Sequence, residues 1–118
     1  MGGGNNPDKP STVPAEIDWR LSKPPGFSPF KWIYRARPIV TPEAQANKVS
    51  GEVLLRATFR ADGRITDIEV VRPVEYMTES AIEALERSRF RPAMINGVPV
   101  TLRNVLVRIK IEVEEVHQ

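Results

Sequence analysis

Apolar positions change their period several times along the chain. Residues 41–48 are punctuated as a short helix: Thr41 suits the N-cap, Pro42 the first helical position, and Glu43 the positive helix end. Residues 52–60 alternate. Val53, Leu55, Ala57 and Phe59 share one face, and Glu52, Arg56, Thr58 and Arg60 the other, as in a half-buried strand. Leu54 interrupts the polar face, so it needs cover there. Asp62-Gly63 supplies a tight turn, and residues 64–72 return as a second strand. Its step from Ile65 to Ile68 breaks the period of two, and a bulge near Thr66–Asp67 would restore it.

Residues 78–90 shift to helical spacing. Ala81, Ile82 and Leu85 point inward, Phe90 packs near the exit, and Thr78 is the expected N-cap. Arg87, Arg89 and Arg91 fall at the negative end of that helix, and Pro92 stops it. Asn96-Gly97 marks another turn. Residues 98–113 form the last strand, with Val105, Val107, Ile109, Ile111 and Val113 opposite Leu106, Arg108, Lys110 and Glu112. Residues 104–113 alone would span roughly 33 Å at ~3.3 Å per residue. Such a run outlasts either hairpin strand, so it must bend, fray or pair with something else.

The first third reads differently. Eight of the 11 prolines lie in residues 1–42, and residues 1–16 carry little apolar content. Trp19, Phe27, Phe30, Trp32 and Tyr34 crowd residues 17–36, where Pro24, Pro25 and Pro29 forbid a long helix. These residues predict an extended aromatic strap that packs on the globular part and enlarges its core. An exposed contact arm is the competing reading.

The expected fold class is α+β. Two helices pack on one face of a three-stranded, mainly antiparallel sheet, in the order helix–strand–strand–helix–strand, with the aromatic, Pro-rich strap before them. Residues 1–36 form the lead-in and strap, and residues 37–118 the domain. Three strands leave two edges, and edges are pairing sites unless blocked.

Composition narrows the chemistry. The chain is 118 residues long, enough for one domain. Its net charge of +2, from 17 basic and 15 acidic residues, gives no reason to expect nucleic acid as a partner. With no cysteine, thiolate catalysis, disulfides and iron–sulfur clusters are excluded. The single histidine, His117, cannot build a histidine triad or a multi-histidine metal site. No catalytic set or phosphate-binding glycine loop is present, so neither enzymatic activity nor a cofactor is expected.

A set of motifs in fixed order now becomes telling. It runs from Arg37-Pro38 through Ala44-Gln45-Ala46, Gly51-Glu52-Val53, Asp62-Gly63-Arg64-Ile65 and Ile68-Glu69-Val70-Val71. It continues through Ser80-Ala81-Ile82, Ala84-Leu85 and Phe90-Arg91-Pro92-Ala93 to Asn96-Gly97-Val98-Pro99-Val100. Over residues 37–113 the chain resembles the C-terminal domain of TonB, the energy transducer of Gram-negative envelopes. The resemblance implies a periplasmic, non-enzymatic module that captures the TonB-box segment of outer-membrane transporters as a strand beside its last strand. It places that contact on Leu102, Arg103, Asn104, Val105, Leu106, Val107, Arg108 and Ile109, with a further contact at Pro38, Ile39 and Val40. It also implies that the soluble piece derives from an inner-membrane-anchored protein coupled to a proton-motive motor. Homodimerisation through the same edge, in a structural module of another envelope protein, is the rival function. Two departures stand out: Val40-Thr41-Pro42 replaces a frequent Tyr-Pro, and Arg72-Pro73-Val74-Glu75-Tyr76 replaces a Ser-x-Gly turn.

Overall fold

The structure, a computed structural model, describes residues 14–113. Three short strands come first: β1 (Glu16–Asp18), β2 (Phe27–Ser28) and β3 (Lys31–Tyr34). Helix α1 (Pro42–Ala46) precedes the hairpin β4 (Gly51–Phe59) and β5 (Ile65–Arg72). Helix α2 (Thr78–Arg87) leads into β6 (Arg89–Arg91), β7 (Ala93–Ile95) and the long β8 (Val98–Ile111).

The antiparallel trio β8–β4–β5 makes up one end of the sheet, with β5 at its edge. The sheet is larger than the three strands expected from sequence. Strands β7 and β2 extend it beyond β8, β1 joins β8 in parallel, and β3 and β6 form a separate two-stranded ribbon. These five additions are two to four residues long, too short to leave a periodic signal.

Local chemistry explains the element ends. Thr41 accepts the Ala44 amide at 3.1 Å and caps α1. Thr78 does not cap α2. Its hydroxyl donates to the Val74 carbonyl and accepts the Val74 amide, each at 3.0 Å, and it stands as the first helical residue. The helix stops at Arg87, three residues before the expected end. Ser88 turns to extended backbone, and Arg89–Arg91 pair with β3 instead of closing a last helical turn. Asn96 (φ 52°) and Gly97 (φ 83°) both adopt the left-handed backbone that a two-residue hairpin requires between β7 and β8. The bulge in β5 falls at Asp67, whose φ is 55°.

One core unites the parts. Val53, Leu55, Ala57 and Phe59 of β4 meet Leu102, Val105, Val107 and Ile109 of β8, and α1 and α2 add Ala44, Ala81 and Leu85 to the same cluster. Leu54, on the opposite face, is only 9% exposed. Arg72 and Arg108 stand directly opposite it on either side, where their aliphatic stems can cover it.

The strap packs onto this core. Phe30 is its anchor, with ring centroids 4.5 Å from Phe59, 5.4 Å from Trp32, 6.0 Å from Trp19 and 6.2 Å from Phe90. At the far end, Asn96 donates its amide to the Gly26 carbonyl at 3.0 Å. A Cβ on Gly26 would lie 2.2 Å from the Asn96 side-chain oxygen, and its φ is 81°, so only glycine fits this latch without movement. Phe30→Ala should therefore destabilise the whole domain by about 2–3 kcal/mol. Urea unfolding checks this. A loss confined to the strap, with the midpoint of the β-sheet transition unchanged, would show the strap to be an appendage.

Candidate functional site

The two sides of β8 have different fates. On one side β4 pairs with it from Leu102 to Ile111, apart from one irregular step. On the other side three situations follow one another. β7 takes Val98–Val100, and β1 takes Thr101–Arg103, with Thr101 donating to the Ala15 carbonyl (3.0 Å) and Trp19 donating to the Arg103 carbonyl (2.7 Å). From Asn104 to Ile111 no described strand pairs on that side.

Asn104 is the hinge between these regimes. Its φ is 63°, and one extra residue of β8 is inserted there against β4. The insertion reverses the alternation. Before it, Thr101 and Arg103 turn their main-chain groups away from β4. After it, the carbonyl of Arg108 accepts a bond from the Arg35 side chain on the open side. Antiparallel residues alternate between pairs that exchange both main-chain bonds and pairs that exchange none. Leu106, Arg108 and Lys110 therefore direct their N–H and C=O groups outward, while Val105, Val107 and Ile109 direct theirs to β4.

The open stretch forms one wall of a groove. The opposite wall is the extended segment 35–40. A cleft of about 260 Å³ lies between Arg35, Ala36, Arg37 and Pro38 on one side and Val107, Arg108, Ile109 and Lys110 on the other, floored by Leu85 and Ser88. A second cleft of about 280 Å³ continues it, from Arg37, Pro38 and Val40 to Lys110, Ile111 and Glu112, over Met77. The end of α2 fixes the far wall. Ser88 accepts the Ala36 amide at 3.0 Å while donating to the Ala84 carbonyl at 2.8 Å, and Arg87 donates to the Arg37 carbonyl at 3.1 Å.

The residues singled out from sequence divide accordingly. Pro38 and Val40 are brought against residues 107–112, the end of β8 and the residue after it. Ile39, 65% exposed, lines neither cleft. Val105, Val107 and Ile109 are buried and hold the strand on the core, whereas Leu106 is 43% exposed on the other face. Leu102 and Arg103 are already paired on the edge side by Ile17 and Asp18, so the free edge begins two residues later than the resemblance implies. Arg35, Arg37, Lys110 and Ser88 were not among the expected contact residues. Only Ser88 had a legible signal, a hydroxyl in the last turn of the helical pattern, able to bond four residues back.

The groove is cationic, with Arg35, Arg37, Arg108 and Lys110 on its walls. Two of these carry carboxylate partners: Arg108 with Glu52 at 3.4 Å and Lys110 with Glu112 at 3.3 Å. Among the described residues no cluster of His, Asp or Glu could hold a metal ion.

The fold thus defines a class: small α+β domains built on a helix–strand–strand–helix–strand frame, with an accessible edge on the last strand. A model of the Gram-negative bacterial TonB protein C-terminal family matches residues 41–111, more than half of the chain. The chain belongs to this family. The solution NMR structure of the Pseudomonas aeruginosa TonB C-terminal domain shares the fold, with a TM-score of 0.58 at 24% identity over 76% of this chain and 92% of that one. No curated protein was found to match. Among the described residues, no helix is long and apolar enough to cross a membrane.

Asp18 marks where β1 gives way to the open edge. Its carboxylate accepts the Arg20 amide at 2.9 Å and the Arg20 guanidinium at 3.0 and 2.7 Å. Those bonds, led by the Arg20 side chain and helped by Asn104, hold it well below the usual carboxylate range. A depressed folded pKa means that the contribution is complete at neutral pH. It is lost as pH falls from the free-aspartate value of about 3.9 toward the folded one. Hydrogen-exchange protection of the Thr101 and Trp19 amides should thus fall below about pH 4 before that of the β4–β8 amides. Asp18→Asn should lower it already at pH 7. Full protection in that variant would show β1 to be held without the carboxylate.

Proposed function

We propose that this domain binds an extended segment of an outer-membrane transporter by strand addition to β8, between Asn104 and Ile111. The observation that carries the reading is the set of outward main-chain groups on Leu106, Arg108 and Lys110 beside a groove walled by residues 35–40. Family membership supplies the partner class, since TonB-type domains act on outer-membrane transporters. Three outward residues offer up to six ladder bonds, worth about 0.5–1.5 kcal/mol each net. Ordering the segment offsets much of that. The contact is therefore weak to moderate and reversible, and suits a module that engages and lets go. Pro38 and Val40 add side-chain contacts, and β1 bounds the site at its Arg103 end.

The outward and inward positions separate in a direct test. Leu106→Pro removes a donor that faces the groove, so the fold should persist while binding of peptides from transporter N-termini weakens at least about tenfold. Val107→Pro removes a donor to β4 and should destabilise the domain by about 3 kcal/mol or more. Amide NMR titration and thermal unfolding read the two effects. Undiminished peptide affinity in folded Leu106→Pro would sink strand capture at this edge. Concentration-dependent mass with no peptide affinity would favour the rival reading, a second copy of the chain on the same edge.

A further inference from the structure

Arg35 lies upstream of the segment that the family model matches, yet it touches the middle of the open edge. Its Nη2 donates to the Arg108 carbonyl at 2.7 Å. Its guanidinium carbon lies 5.1 Å from the ring centroid of Trp32, whose own ring packs on Phe59 at 5.6 Å. The same side chain lines the first cleft together with Arg108. Arg35 is thus held from behind by the aromatic cluster and reaches forward onto the central one of three outward-turned residues.

We propose that Arg35 is a removable stopper of the docking edge and a determinant of which segments dock there. The proposal rests on the strand-capture reading of β8. An added strand lies about 4.8 Å from its neighbour, with its own N–H aimed at the carbonyl it pairs with. A guanidinium nitrogen 2.7 Å from the Arg108 oxygen occupies that intervening space. The incoming backbone must displace it. Arg108's own side chain does not compete, because it bonds Glu52.

The displaced guanidinium keeps its seat over Trp32 and gains solvent, but it loses a charge-assisted bond. A segment that carries a carboxylate beside its Arg108-facing residue offers a replacement acceptor, and a better one than a carbonyl. A neutral segment offers only a neutral oxygen, a main-chain carbonyl or a side-chain amide. One residue therefore opposes every segment and repays the acidic ones. Arg37 and Lys110 in the same groove favour acidic segments as well, but they do not occupy a ladder acceptor.

The test uses a ten-residue Thr/Val peptide with a central Glu, its Gln counterpart, and two variants of the full chain. Arg35→Met keeps an apolar stem over Trp32 and deletes every donor; Arg35→Ala removes the stem too. The Gln peptide should bind both variants about threefold to tenfold tighter than it binds the wild type, the range expected for one exposed charge-assisted bond. The wild type's preference for Glu over Gln should shrink at least about threefold in both variants. In the wild type, saturating peptide should shift the Arg35 Nε–H resonance. Equal affinity of the Gln peptide for wild type and both variants, with the Arg35 resonance unmoved, overturns the stopper while leaving strand capture standing. Absence of binding by either peptide to any of the three proteins overturns both. Weaker binding to Arg35→Ala alone, with Arg35→Met tighter as expected, supports the stopper and assigns the loss to packing on Trp32.

Discussion

A buried or half-buried strand must account for every main-chain N–H and C=O it carries. β8 is 14 residues long, and that account organises the whole molecule. β4 pairs with one side from Leu102 to Ile111. The other side is divided among a hairpin partner, a strap strand and the groove. The strap, the hairpin tip and the groove are all responses to the length of this one strand.

The extra residue at Asn104 makes the division workable. Without it, the alternation that faces Thr101 and Arg103 toward β1 would turn residues 105, 107 and 109 outward at the groove. Their side chains are the buried ones, 1–7% exposed, that fix β8 to the core. A left-handed residue at the boundary leaves the apolar side chains inside on both sides of the switch, at 100 and 102 before it and at 105, 107, 109 and 111 after it. Asparagine tolerates that backbone better than most residues, because its short amide bonds locally.

Much of this was legible in the sequence. Periodicity gave α2 and the strands β4, β5 and β8, punctuation at Thr41-Pro42 gave α1 and its cap, the Ile65–Ile68 misstep gave the bulge, and Asn96-Gly97 gave a turn. The five short strands were not legible, because two to four residues carry no period. The end of α2 was misread because Phe90 satisfies helical spacing and strand alternation equally well, and pairing with Trp32 decides between them. Of the groove, β8 and Pro38–Val40 were in view. Arg35 was not, because its importance comes from a contact across 73 positions of sequence. The parity switch was visible in principle: buried apolar residues fall at even numbers up to Leu102 and at odd numbers from Val105. A single reading frame over 98–113 hid it.

The parallel sense of β1 has a consequence for loading. Its chain runs the same way as β8, so tension drawn along the strand axis from residue 14 slides β1 lengthwise past Thr101–Arg103 rather than lifting it off rung by rung. Bonds strained lengthwise share the load and yield together, whereas bonds peeled from one end yield singly. Behind β1 stand the Trp19 and Phe30 rings, which give the next resistance. The strap thus sets two resistances in series along the chain, first β1 and then the aromatic rings. Tension along the strap loads first the three-residue strand that borders the groove.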